Sequence, residues 1–258
     1  MLPDGLLGIG PFLLAIPLVF ALSAVVFFRG TARAGIPWQR VLRLQLALSI
    51  VALLGARGFS FVFDELWNPL DPGRTPVVAG WRASGGILAM ALALPLFRAR
   101  LLPEVSLARY ADVLGPTIAV ALGVYRIQCL LAGCCGGPVC NQFFCLSYAP
   151  GTEIWRAQLE AGHIGGAAWS AATFPLHLAF MAASLGIGAW LWRYDPRRRF
   201  DGEVFLLFLM LHEGAKFLLE FLRAPQSLLL QASSLLPALI AFAVWLTILG
   251  RGRAQAAA

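Results

Sequence analysis

Apolar residues along this chain come in runs of about 20, the length an α-helix needs to cross roughly 30 Å of hydrocarbon. Short segments holding arginine, proline and glycine separate the runs. They cover residues 6–28, 41–61, 76–97, 113–133, 172–192, 203–223 and 228–249. The pattern predicts an all-α membrane protein with seven transmembrane helices. The first run is longer than a signal-peptide core, and Asp4 precedes it with no basic residue, so it reads as a retained span. A long connection, residues 134–171, follows the fourth run and is predicted to form a small cap at the membrane surface. The whole of 1–258 reads as one integral membrane domain, with the short Ala-rich tail, about 251–258, frayed.

Arginine sets the orientation. Arg29, Arg33, Arg40 and Arg43 follow the first run, and Arg98, Arg100 and Arg109 follow the third. Arg193, Arg197, Arg198 and Arg199 follow the fifth, and Arg251 and Arg253 the seventh. The intervening loops hold only Arg74, Arg156 and, at the edge of the sixth run, Arg223. Basic residues collect on the cytoplasmic side, which places the N-terminus outside, the C-terminus in the cytoplasm and the 134–171 cap outside. The chain is expected to cross its membrane several times.

Composition agrees: 59% of residues are hydrophobic and 13% charged, against roughly 25% charged in an average soluble domain. The net charge of +7 would suit nucleic acid, but topology already accounts for where the basic residues sit, so no nucleic-acid partner is expected.

Charges inside the runs carry the first chemical signal. A cation at a span centre costs about 2.5 to 3.5 kcal/mol on the lenient insertion scale, so each needs a reason. Helical rise puts Arg57, Arg126 and Lys216 roughly 19 to 24 Å from the cytoplasmic side and Arg82 roughly 9 Å below the outer one. All four fall in the outer half, with Arg223 at its edge. In the sixth run Glu213, Lys216, Glu220 and Arg223 share a helical face, so Glu220 can pair with Lys216 or Arg223. Arg57, Arg82 and Arg126 have no evident carboxylate in their own helices, and snorkelling to the headgroups is the ordinary explanation for any one alone. Together they predict an anion-binding site open to the outer leaflet. Guanidinium forks match phosphate oxygens, which makes a phospholipid headgroup the expected occupant. Ser84, Gly85 and Gly86 allow close backbone approach, by a ligand or by a neighbouring helix.

Cys129, Cys134, Cys135, Cys140 and Cys145 make an odd set, so at least one is unpaired or bonds another chain. A disulfide tying Cys140 or Cys145 back to the helix end is expected on the oxidising side. With no C-x-x-C pair, and with Cys134 and Cys135 adjacent, the spacing argues against zinc; no metal and no cofactor are expected. Cys129 stands one turn after Arg126, where a guanidinium favours the thiolate, so it is a candidate reactive thiol, redox-active or carrying a lipid group in transit. His163 and His177 are the candidate bases, although a loop histidine is usually solvated and one in a span usually bonds a carbonyl.

Several stretches resemble the prolipoprotein diacylglyceryl transferase family. "DVLGPTIAVALGVYRIQCLLAGCCGG" is similar to the central signature of its G-R-I-G-C-F-x-x-G-C-C-x-G branch, and "RRRFDGEVFLLFLMLHEGAKFLLEFLRAP" to its late segment. "LLGARGFSFVF" looks like the early G-A-R segment, and "SGGIL" stands where the family carries H-G-G-L. The likeness covers roughly residues 50–225. It implies a seven-span enzyme that transfers the diacylglyceryl group of phosphatidylglycerol to the cysteine thiol of a lipoprotein precursor and releases glycerol phosphate. Arg126 and Arg223 match its important arginines, and Arg57, Gly85, Gly86 and Glu220 also match. The departures concern proton handling: Ser84 replaces the H-G-G histidine, "YRIQC" replaces G-R-I-G-N, Cys134 replaces a glutamate, and "FPLHLAF" retains little of H-P-T-Q-L-Y-E. Lys216 stands for arginine and His212 for tyrosine.

The predicted site is therefore Arg126 and Arg223 on the phosphate, with Arg57, Arg82, Lys216, Glu220, Ser84, Gly85 and Gly86 around the lipid, and Cys129 and His177 as candidates for the proton and thiol chemistry. The predicted partners are a phosphatidylglycerol-like phospholipid, the surrounding membrane lipids, and a lipoprotein precursor or other thiol acceptor. A silent relative that only binds phospholipid, a membrane thiol redox protein and a transporter are the other classes compatible with the same residues.

Overall fold

The computed structural model describes residues 10–61, 83–166, 168–223 and 228–257. Its helices are α1 (Gly10–Arg33), α2 (Trp38–Phe61), α3 (Ala83–Leu101), α4 (Leu107–Ala132), α5 (Glu153–Glu160), α6 (Leu176–Tyr194), α7 (Glu203–Glu220) and α8 (Leu228–Ala257). Each apolar run thus contains a helix, and α5 lies in the predicted cap. Among the described residues β-structure is limited to isolated bridges of Thr173 with Val139 and Leu146. By length and composition, three helical stretches suffice to cross a membrane: Trp38–Gly58, Leu107–Ala132 and Ser234–Arg251. Leu46, Ile50, Leu53 and Leu54 of α2 are each more than half exposed, as suits a surface whose solvent is hydrocarbon.

The chain divides into two compact units, Phe28–Tyr110 and Met1–Phe27 with Ala111–Ala258. In the first, α2 and α3 pack through small residues. A side chain on Gly86 would meet the Ala52 carbonyl oxygen at 2.8 Å, and one on Gly55 the Gly85 carbonyl at 2.7 Å. Such closeness gives van der Waals contact between helices where lipid removes the hydrophobic drive.

In the second unit α4 packs against both α6 and α7. Its buried Asp112 accepts from the Gly202 amide at 2.8 Å and the Phe205 amide at 3.1 Å. A carboxylate from a neighbouring helix therefore satisfies amides that the first turn of α7 leaves orphaned, and its charge suits the positive end of the helix dipole. Gly202 takes φ +95° there, a left-handed value that glycine adopts without steric cost. Further along, Gly115 approaches Phe208, and Ala119, Leu191, Val204, Leu207 and Phe208 form a buried cluster. Glu203, fully buried, is held by Arg199 through its backbone and side chain and by the Trp245 indole of α8 at 3.2 Å. The same ion pair pushes the Arg199 guanidinium pKa up from its ordinary value. Helix α6 runs antiparallel to α4, with Gly188 against Pro116 and Val120, and Gly123 against Leu185.

Candidate functional site

The stretch "GVYRIQCLLAGCCGG" ends α4 in a tight reversal. The Cys134 amide donates to the Cys129 carbonyl (3.1 Å), and the Gly133 amide to the Leu130 carbonyl (3.4 Å). These two bonds form a Schellman cap, which requires the left-handed conformation that Gly133 supplies at φ +60°. The cap segment then lies directly against the reversal. Gly133 accepts from the Ile154 amide at 3.0 Å, and a side chain at Gly133 would strike Thr152. Gly137 is held by the Phe174 carbonyl at 3.0 Å, with the Leu222 carbonyl where its side chain would be. The cap itself is tied by Gln158, whose amide brackets Ala171 at 2.7 and 3.2 Å, and by the Cys140–Cys145 disulfide. That disulfide closes a five-residue loop within the cap instead of reaching back to α4 as the spacing suggested.

The reversal gathers thiols. Cys129, Cys134 and Cys135 are all free, and their sulfurs lie within 4.8 Å of one another. Cys135 has φ +57° and is the one non-glycine residue with positive φ among those described. A left-handed conformation costs a residue with a β-carbon about 1–2 kcal/mol, and such strain persists where surrounding structure enforces it.

Two guanidiniums converge on these sulfurs from helices distant in sequence. Arg223, just beyond α7, donates from Nη2 to Cys135 Sγ at 3.6 Å and from Nη1 to the buried Glu220 carboxylate at 3.1 and 3.4 Å. Arg126, on α4, stands one turn before Cys129 and close to its thiol and rests 4.4 Å over the Phe180 ring of α6. His177, fully buried at the start of α6, stands near Cys135 and Arg126. Its Nε2 meets the Tyr148 hydroxyl at 3.3 Å, while its Nδ1 has no partner among the described residues. A buried polar atom without a partner marks a place where a ligand can complete the hydrogen bonding. Burial, and then the neighbouring Cys134, push the Tyr148 phenol up to about 12, so it stays a donor through the physiological range.

The structure thus brings Arg126, Arg223, Glu220, Cys129 and His177 of the predicted set to one place. Lys216 goes elsewhere, pairing with Glu213 at 3.6 Å, and Glu213 also meets His212 at 3.2 Å. Arg57, Gly85 and Gly86 belong to the other unit, where Arg57 is exposed and the two glycines are spent on packing α3 against α2. Arg82 and the side chain of Ser84 lie outside the described residues. His163 is exposed in the cap. Sequence reasoning passed over Tyr148, which orders His177, and Asp112, which fixes α4 against α7. The only signal for Asp112 was an acid beside an apolar run.

Apolar helices with lipid-type surfaces define a helical membrane protein that sets paired guanidiniums beside thiols at one end of α4. The model of the prolipoprotein diacylglyceryl transferase family matches residues 7–249, and the chain belongs to that family of membrane transferases. No curated protein matches the chain.

Proposed function

We propose that this protein moves the diacylglyceryl group of phosphatidylglycerol, or a closely similar anionic phospholipid, to a cysteine thiol of a lipoprotein precursor in the bacterial inner membrane. Seven spans, with the N-terminus outside and the C-terminus cytoplasmic, would open the site to the outer leaflet where donor and acceptor meet. The observation that carries the reading is the convergence of Arg126 and Arg223 beside the three free thiols, at the end of α4 that meets the cap. Displacing phosphate from carbon needs a nucleophile on one side of that carbon and fixed positive charge on the other, a few ångströms apart. In the reaction the acceptor sulfur forms a C–S bond to the terminal glyceryl carbon, the C–O bond to phosphate breaks, and the electron pair leaves on the phosphate oxygen. Arg126 and Arg223 receive that charge from preorganised positions, where it counts most in the transition state. Glu220 holds the Arg223 fork in place.

Cys129 serves here as a partner of Arg126 and not as a covalent carrier: a thioether carbon, once formed, is too poor an electrophile to pass on to a second thiol. His177 presents an unpartnered Nδ1 that suits a phosphate or glycerol oxygen. The replacement of the family's histidine by Ser84 favours one other reading, a relative that binds phospholipid without transfer, because serine is no base near neutral pH. Purified protein incubated with phosphatidylglycerol vesicles and a cysteine peptide of lipoprotein-precursor type separates the two. Mass spectrometry is expected to find the diacylglyceryl adduct, lost in Arg126→Ala; vesicle binding without any adduct would sink the transferase reading.

A further inference from the structure

The three free thiols have more order than lipid binding requires. Their sulfurs, within 4.8 Å of one another, need only small adjustment to reach the roughly 3.8 Å separation of sulfurs about 2.3 Å from a tetrahedral ion. The adjacency of Cys134 and Cys135 is no obstacle. The Schellman turn at Gly133 folds Cys134 back over Cys129, and the left-handed Cys135 keeps its sulfur with the others. That strained residue is a second, independent pointer to function. The group stops at three among the described residues, and three protein ligands with one open position are the mark of a catalytic rather than a structural zinc site. Arg223 donating to Cys135 Sγ and Arg126 one turn before Cys129 are cations of the kind that thiolate ligands need around them to balance their charge.

We propose that Cys129, Cys134 and Cys135 hold one thiophilic divalent ion of the zinc class, and that its open position takes the acceptor thiol as a thiolate, in place of the base that Ser84 cannot be. The open-position step rests on the transfer reading above; the metal site does not. The acceptor thiol releases its proton to solvent as its sulfur binds the ion, since a coordinated thiol is deprotonated outright. The sulfur electron pair then forms the C–S bond, the phosphate C–O bond breaks, and glycerol phosphate departs against Arg126 and Arg223. The thioether product, neutral and a weak ligand, leaves the ion free for the next thiol. No oxidant or reductant enters.

The test uses the full-length protein, purified in detergent with its thiols reduced and titrated with Co²⁺. One ion per chain is expected, with sulfur-to-cobalt charge-transfer absorption and the strong visible bands of tetrahedral cobalt. Each of Cys129→Ser, Cys134→Ser and Cys135→Ser should weaken binding by more than about tenfold, the least that loss of even an outer partner costs; the Cys140→Ser/Cys145→Ser double variant should bind normally. A cysteine peptide should shift the visible bands of the wild-type protein and a serine peptide should not. Sub-stoichiometric cobalt, or a spectrum without sulfur charge transfer, overturns the metal site even if no variant folds. Bands indifferent to the peptide overturn the open position. Adduct formation at full rate in metal-free protein rejects the inference and leaves the transfer reading intact, whereas peptide-responsive cobalt without adduct rejects transfer and leaves the site standing.

Discussion

Arg223 shows how one side chain is prepared at the residue scale. Its guanidinium spans a buried carboxylate and a thiol, Glu220 on one side and Cys135 on the other, so its fork is oriented before any lipid arrives. Removing a preorganised donor of this kind typically costs about 10²–10³ in rate. Arg223→Ala and Arg126→Ala should each lose adduct formation on that scale, and Arg223→Lys should recover little, because an ammonium on a flexible stem does not reproduce a planar fork. Glu220 acts through Arg223. Glu220→Gln is therefore expected to slow transfer less than Arg223→Ala, and the double variant should be no slower than Arg223→Ala alone. Additive losses in that cycle would mean that Glu220 has a role of its own.

At the scale of elements, the two ends of α4 do different work, and each can be broken separately. Asp112 caps α7 from a buried position; Asp112→Ala strands the Gly202 and Phe205 amides and should cost about 1–3 kcal/mol, read as a lower thermal midpoint in detergent with α4's far end unaffected. Gly133→Val meets Thr152 at 2.7 Å and puts a β-branched residue at φ +60°. It should disperse the thiols, and iodoacetamide should then modify Cys129, Cys134 and Cys135 at independent rates, followed by peptide mass spectrometry. Helix placement was readable from apolar run length alone, which is why runs at 113–133 and 203–223 anticipated α4 at Leu107–Ala132 and α7 at Glu203–Glu220. Partnership was not readable. Helical spacing offered Glu220 either Lys216 or Arg223; Glu220 holds Arg223, and Lys216 pairs with Glu213 instead. Nor did linear spacing show that Cys129, Cys134 and Cys135 bring their sulfurs within 4.8 Å of one another, because a pattern of letters does not show a left-handed turn that folds the chain onto itself.

On the scale of the whole molecule, the unit that contains α4 has two chemically opposite ends. One carries Arg193 in the last turn of α6 and Arg197, Arg198 and Arg199 between α6 and α7, with Arg198 3.9 Å from Asp112; the other carries the cap with its Cys140–Cys145 disulfide. Asp112 and Cys129 are about 25 Å apart at roughly 1.5 Å per residue, close to the thickness of a hydrocarbon core. Two independent rules then agree on direction. Basic loops stay in the cytoplasm, and disulfides persist where the compartment is oxidising, so both support the proposed orientation with the cap outside. Cysteines introduced at exposed Glu153 and Arg197 test this in intact cells with a membrane-impermeant maleimide, read peptide by peptide so that native thiols do not interfere. Glu153→Cys should label without permeabilisation and Arg197→Cys only after it. The reverse pattern would place the thiols, the guanidiniums and the cap on the reducing side, where secreted precursors do not present their cysteines, and the transfer reading would lose its acceptor.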